Sequence, residues 1–236
     1  MKRQPRKGSS KKFWDKEYAQ SGHIALSNDP SEDLVKFTRF LEREFGRKYL
    51  NPLASVTDLG CGNGRNLIYL AETYGMRGVG YDISSEAVLQ ANRLIKTKEL
   101  PIVCSVQSIA SSLPLPDTSQ TLVLDMMTSH FLNSEERSYL RDEIIRILRP
   151  EGFLLFKTFL RDEDTHAERL LRENPASEAG SYIHPKIGVA EHVFTEREIE
   201  DLFKDYFFIH KISKSHRHRE RLAKRRSISV YAQKVG

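Results

Sequence analysis

Cysteine is nearly missing from this 236-residue chain; Cys61 and Cys104 are all it has. Two cysteines build neither a disulfide framework nor a four-ligand zinc set. Long apolar runs are missing too. No stretch approaches the ~18 uninterrupted apolar residues of a membrane-crossing helix, so no membrane partner is expected. The opening Met1-Lys2-Arg3-Gln4-Pro5-Arg6-Lys7 has no apolar segment behind it, which is not the pattern of a secretory signal. A soluble, cytoplasmic protein is expected. There is no internal repeat. Apolar residues make up 39% of the chain and charged residues 29%. That balance supports a real core, rules out wholesale disorder and suits one domain of ordinary size.

Charge is spread unevenly. The formal net charge is +5, yet six bases and no acid crowd residues 1–12, and seven bases against Glu220 crowd residues 214–226. The body between them is therefore acidic. Such attachments read either as contacts for RNA or another polyanion, through counterion release, or as solvated segments. No aromatic residue interleaves the second run, as a base-stacking platform would require. Residues 1–12, with Pro5, Gly8, Ser9 and Ser10, are expected to be a disordered tail.

Residues 13–19 read as a short helix presenting Phe13, Trp14 and Tyr18. Asp29-Pro30-Ser31-Glu32 reads as a helix start, with Asp29 as cap and Glu32 completing a capping box. Leu34, Phe37, Leu41 and Phe45 follow at helical spacing, which predicts an amphipathic helix over 30–48. Strands are then predicted at 55–59, 78–82, 102–106, 121–125 and 153–158. Helices follow the first two strands, and another, capped at Ser134, runs to Leu148. Nearly all-apolar strands recurring between helices make an α/β fold, with a parallel sheet covered on both faces. Residues 161–193 read as a long polar excursion, and Thr195 caps a helix to Phe203. Strands at 206–212 and 227–233, with no helix between them, make an antiparallel hairpin with the basic run at its tip.

The informative segment is Asp58-Leu59-Gly60-Cys61-Gly62-Asn63-Gly64-Arg65-Asn66. It joins a strand to a helix at the carboxyl edge, where open α/β sheets bind ligands. Alternate glycines let the backbone turn tightly and lie against a ligand. A dinucleotide fingerprint needs G-x-G-x-x-G; here the spacing is G-x-G-x-G, and Arg65 stands in place of the third glycine. Asp58 would oppose a pyrophosphate. The loop suits a ligand with an ammonium group and a ribose but no phosphate. Asp82 ends the next strand, about twenty residues further on, from where a carboxylate can accept both ribose hydroxyls.

Together these residues resemble the class I S-adenosylmethionine-dependent methyltransferases. The likeness runs from Val56 to Phe159. It is carried by residues 56–64, Gly80-Tyr81-Asp82-Ile83, Leu113-Pro114-Leu115-Pro116-Asp117 and Ile147-Leu148-Arg149-Pro150-Glu151-Gly152-Phe153. It implies a Rossmann-like three-layer sandwich, with a mostly parallel seven-stranded sheet that ends in an antiparallel hairpin. It also implies S-adenosylmethionine as cofactor. Asp58 and the loop Gly60, Cys61, Gly62 and Gly64, with Asn66, would face the methionine end; Asp82 would hold the ribose and Ile83 would pack on the adenine. Many members carry an acid where this chain has Ile109, so adenine contact falls to backbone groups, Ser108 or Gln107. Phe13-Trp14-Asp15-Lys16-Glu17-Tyr18 resembles the Trp-Asp-x-x-Tyr opening of small-molecule methyltransferases of the thiopurine and tellurite-resistance type. There the segment folds over the cofactor, which makes Trp14 and Tyr18 candidate lid residues. Residues 13–50 would be a helical cap on a single domain spanning 13–236, and 161–193 a substrate-side insertion.

Transfer from a sulfonium is an in-line displacement at an activated carbon. Alignment of the acceptor contributes up to ~7–11 kcal/mol, and a base is needed only where the acceptor sheds a proton. Asp125-Met126-Met127-Thr128-Ser129-His130 follows the fourth strand. It lacks the Asn/Asp-Pro-Pro-Tyr pattern of amino-methylating DNA enzymes, and it lacks a cysteine for cytosine C5 chemistry. Asp125 is a candidate for orienting the acceptor or the cofactor amine, and His130 a candidate base. Tyr182, His184 and His192 are candidate substrate residues. No metal is expected, because the spacing of His166, His184, Glu191 and His192 matches no common ligand set. The expected function is methyl transfer to an unidentified small molecule by a monomer. The alternatives are an RNA methyltransferase steered by the two basic segments, and a non-catalytic scaffold. Arg65 and the terminal hairpin speak against an NAD-dependent oxidoreductase.

Overall fold

The computed structural model describes residues 8–20, 27–215 and 225–236. Residues 1–7 of the basic tail and residues 216–224 of the second basic run lie outside the described residues. The rest of the tail corrects the expectation: residues 8–12 are helical, as the start of α1 (Gly8–Gln20). Lys11 Nζ donates to Asp15 one turn on, at 2.7 Å, and to Ser85 Oγ at 3.1 Å, so part of the tail's charge has folded partners. Helix α2 (Glu32–Phe45) starts at Ser31, not Asp29, and stops at Gly46, whose φ of 60° is available to glycine. The Asp29 amide is instead bonded to Ser27 Oγ.

The chain then alternates through β1 (Ser55–Leu59), α3 (Arg65–Tyr74), β2 (Arg77–Asp82), α4 (Ser85–Thr97), β3 (Ile102–Val106), β4 (Gln120–Met126), α5 (Ser134–Ile147) and β5 (Leu148–Phe159). Asn133, not Ser134, caps α5, in a reciprocal box with Glu136. β5 begins earlier than its apolar run, because Leu148 already pairs with Gln120 before the register shifts between Gln120 and Leu122. After β5 come α6 (Thr165–Glu173), β6 (Ser181–Ile183), β7 (Ala190–His192), α7 (Glu196–Phe203), β8 (Phe207–Lys214) and β9 (Ser227–Lys234). Thr195 and Glu198 form the capping box of α7.

The seven-stranded sheet has the order β3-β2-β1-β4-β5-β9-β8. β1 to β5 pair in parallel, and β9 runs antiparallel between β5 and β8. Strand order reverses between β1 and β4, so the connections leaving their carboxyl ends diverge and open a crevice. Side chains along β5 alternate between two cores. Phe153 and Leu155 join α2, α3 and α4 on one face; Leu154 and Phe156 join α5 and α7 on the other. Each buried Leu or Phe contributes about 1.5–3 kcal/mol. The segment read as a polar excursion is folded: Ala167, Leu170, Tyr182 and Val193 form a small core of their own, with Phe159 packed against it.

Candidate active site at the carboxyl edge of the sheet

A cavity of about 880 Å³ occupies the crevice, towards the top of the ~300–1,000 Å³ range of small-molecule sites. Its floor is the loop between β1 and α3. Gly60 and Cys61 donate their amides to the Tyr81 carbonyl at 2.7 and 3.0 Å, which ties the loop to β2. Gly60 (φ 77°) and Gly62 (φ 55°) adopt left-handed backbone and are closely covered. A Cβ on Gly60 would stand 2.3 Å from the Thr128 side chain, and one on Gly62 2.4 Å from the Tyr18 hydroxyl. Gly64 differs. It precedes α3, its Cβ position faces Ala91 of α4 at 3.1 Å, and it does not line the cavity. The third glycine of the motif serves helix packing.

Two carboxylates flank this floor. Asp82 lines the cavity. Its Oδ2 accepts from the Gly62 amide at 2.9 Å and its Oδ1 from the Ser84 amide at 2.8 Å, which leaves further acceptor capacity on both oxygens. Burial pushes its carboxyl upwards. Asp58 lies beneath the loop, 2% exposed, and its Oδ2 has no hydrogen-bond partner among the described residues. Burial, reinforced by the charge of Asp82, pushes the Asp58 carboxyl up to about 7. Cys61, Asn66, Ile83, Ser108 and Ile109 also line the cavity. Gln107 spends its amide nitrogen on Ser111 and Ser112, and Ser108 Oγ accepts from the Ala110 amide.

Helix α1 forms the roof. Trp14 and Tyr18, one turn apart, both line the cavity. Asp15 points to α4, where its Oδ1 accepts from Ser84 Oγ at 2.9 Å and from the Ser85 amide at 2.8 Å. Partial burial raises the Asp15 carboxyl, but bonds from Lys11, Ser84 and Ser85 outweigh this and bring it to about 2. Gln90 donates to the Tyr18 carbonyl at 2.7 Å. At the other side the Trp14 ring meets Phe131 edge-on, centroids 5.2 Å apart.

The wall beyond β4 begins at Met127, which has a φ of 64°. A 3-10 turn, Ser129–Phe131, then brings His130 to the cavity. His130 is 2% exposed, and neither ring nitrogen has a partner among the described residues. Burial, followed by the charges of Arg225, His192 and Arg137, holds its pKa well below the usual value, so the ring is neutral. His184 also lines this wall.

Five candidates lie off the cavity: Asp58 and Gly64, placed above, and three more. Asp125 is 1% exposed and accepts from the Ser129 amide at 3.1 Å. It faces a crevice with Arg137, Leu140 and Phe203, because alternation on β4 turns Met126 to the cavity and its neighbour away; burial pushes the Asp125 carboxyl up to about 6. Tyr182 is fully buried and donates to Glu191 Oε2. His192 bonds to Ser181 Oγ at 2.9 Å. On the β6–β7 ladder Tyr182 pairs with Glu191 and Ser181 with His192, and it is Glu191 that reaches the cavity.

Sequence reasoning also missed Arg225. It was assigned to a basic hairpin tip, yet it lines the cavity, donates to Glu191 and lies over the Phe159 ring. Arg226 turns inward as well. Its amide donates to Asp164 at 2.8 Å, and its guanidinium donates to the Asp162 carbonyl at 2.7 Å and to Glu163 at 2.9 Å. The available signal was position: both precede β9 directly, where the chain must rejoin the sheet. Arg217, Arg219, Arg221 and Lys224 lie outside the described residues. Among the described residues no three metal-ligating side chains converge, and no helix is long and apolar enough to cross a membrane.

Residues 56–152 match the family described as "Methyltransferase domain". The chain is 31% identical, over 137 residues, to a glycine/sarcosine/dimethylglycine N-methyltransferase of Actinopolyspora halophila, covering 57% of this chain and 24% of that protein. It is 30% identical, over 148 residues, to the 27-O-demethylrifamycin SV methyltransferase of Amycolatopsis mediterranei, covering 62% and 54%. This chain thus spans about a quarter of the first relative and about half of the second. The solved structure of a SAM-dependent methyltransferase from Methanosarcina mazei matches with a TM-score of 0.68 at 26% identity, covering 80% of this chain and 96% of that one.

Proposed function

Residues 56–152 form a methyltransferase domain of the class I, S-adenosylmethionine-dependent family, and from that premise we propose that the protein methylates a small-molecule acceptor held in the cavity above its glycine loop. The observation that carries this reading is the pair of buried carboxylates at adjacent strand ends, each with acceptor capacity left over. Asp82 retains lone pairs towards the cavity, and Asp58 keeps an unpartnered oxygen beneath the loop. A ribose fits the first; the second, which does not itself line the cavity, supplies negative charge beneath the loop for an ammonium group, and neither asks for a phosphate.

S-adenosylmethionine, when bound, supplies a methyl carbon activated by its sulfonium. The chain's own residues do the rest. Asp82 would accept the ribose hydroxyls, and the Gly60–Gly62 backbone, with Asn66, would hold the methionine end. Ile83, Ile109 and Ser108 would bound the adenine. Trp14 and Tyr18 close the roof and exclude water, which strengthens every polar contact beneath them. His130, neutral and unpartnered, orients an acceptor by hydrogen bonding; the burial and cations that keep it neutral make it a weak base. The insertion 161–193 frames the acceptor compartment, within the single domain formed by residues 13–236.

Calorimetric titration of S-adenosylmethionine into the wild type and Asp82→Ala tests this. Two hydrogen bonds to a charged group contribute about 1.5–3 kcal/mol each, so affinity should fall about a hundredfold or more. Equal affinity in the two proteins would remove Asp82 from the site. Failure of the wild type to bind would remove the cofactor.

A further inference from the structure

Arg225 is a buried cation with an unfilled edge. Its side chain is 9% exposed. One terminal nitrogen, Nη1, donates to Glu191 Oε2, and the guanidinium carbon lies 3.2 Å from the Phe159 ring centroid. Nε and Nη2 are buried and have no hydrogen-bond partner among the described residues. These two N–H groups lie side by side on one edge of the planar guanidinium, the fork that matches the two oxygens of a carboxylate. Buried charged donors without a partner are costly to a fold. Glu191 does not fill the edge, because its Oε2 already accepts from both Tyr182 Oη and Arg225 Nη1.

The surroundings favour an anion. Arg169 and Lys186 join Arg225 on the acceptor side of the cavity, where Glu191 is the acid among the described lining residues; Lys157 lines it too but is paired with Asp33. A wall with an excess of one sign of charge concentrates ligands of the other sign. The same wall carries Phe159, Leu170 and Ile187, which suit an apolar body. The edge has no contact with solvent in this structure, so a carboxylate reaches it through a side-chain shift in the wall, whose cost the two charged hydrogen bonds offset. Burial depresses the Arg225 pKa, the direction expected of a guanidinium short of partners.

We propose that the acceptor is a small amphiphilic carboxylate, gripped by the Nε/Nη2 edge of Arg225 and packed against Phe159. This rests on the methyltransferase reading and names the substrate class for it. The carboxylate is the handle; the site of methylation is a separate matter.

The test uses the full chain saturated with S-adenosylhomocysteine. A panel of aliphatic and aromatic monocarboxylates is titrated, each beside its primary amide and the corresponding phosphate monoester. Arg225→Gln and Arg225→Lys are titrated in parallel. Carboxylates should bind about ten- to a hundredfold more tightly than their amides. Arg225→Gln should lose that preference, Arg225→Lys should recover part of it, and affinity for S-adenosylhomocysteine should stay unchanged in both. The wild-type contrast between acid and amide stands even if a variant folds poorly. Amides binding as well as acids, phosphate esters binding where carboxylates do not, no carboxylate binding, or acids binding Arg225→Gln unchanged would each overturn the proposal. Absence of S-adenosylhomocysteine binding to the wild type would instead bring down the cofactor reading, and this inference with it.

Discussion

Asp58 shows how much a single buried oxygen decides. Its carboxyl stands at about 7 against an ordinary 3.8, so the fold favours the neutral acid. The resulting stabilisation is complete below the ordinary value and is lost as pH rises through about 7. Asp125, raised to about 6, acts in the same sense. The thermal midpoint of the cofactor-free protein should therefore carry a component that falls from acid to neutral pH, and Asp58→Asn should flatten part of it in scanning fluorimetry. Cofactor binding has the opposite dependence, because an ammonium group prefers the ionised carboxylate. Affinity for S-adenosylmethionine should rise through neutral pH in the wild type and not in Asp58→Asn. A pH-independent wild-type affinity would mean that Asp58 does not meet the ammonium group. The residue types at 58 and 82 were legible because Asp58 stands one residue before the end of β1, just ahead of the glycine turn, and Asp82 ends β2. The face on which Asp125 lies was not, since one step along a strand reverses it.

At the scale of elements, α1 is the part that explains its own motif. In Trp14-Asp15-Lys16-Glu17-Tyr18 the two aromatics are four apart and share the cavity face, while Asp15 lies off that stripe and reaches α4. Its partners are about seventy positions away in sequence, so no local pattern foretold them. Ser84 caps α4, and Asp15 adds a carboxylate at that helix N-terminus, worth about 0.3–1 kcal/mol and up to ~2 where partly buried. Asp15→Ala should lose stability of that order, and amides of residues 8–20 should exchange faster with solvent. The KM for S-adenosylmethionine should rise several-fold while kcat changes little, since the glycine floor is untouched. Unchanged exchange over α1 would mean that the helix is held by its aromatic contacts instead. The 161–193 segment was read only as a polar excursion because β6 and β7 are three residues each, too short to declare a period.

Across the whole molecule the basic segments divide. Arg225 and Arg226 belong to the interior, where Arg226 ties the start of β9 to residues 162–164. Arg226→Ala should therefore act on the fold and not on a polyanion surface. We expect a loss of about 1–3 kcal/mol in urea unfolding, from hydrogen bonds broken at a buried site, with the salt dependence of turnover unchanged. A variant as stable as the wild type, whose turnover lost a steep salt dependence, would reassign Arg226 to electrostatic steering of a polyanion.

The sequence by itself determined the succession of the seven sheet strands and most of their helices, the terminal hairpin, the glycine floor and the carboxylates at 58 and 82. All of these follow from local rules: hydrophobic period, caps, and turns that only glycine tolerates. Tertiary structure alone decided that Gly64 packs a helix, that Asp125 and His192 face away from the cavity while Glu191 faces into it, and that Arg225 leaves a basic run to line a wall. Those outcomes depend on which strand lies beside which and on the register between them. Elements far apart in the chain set that pairing by burying their apolar faces together, and no window of neighbouring residues contains it.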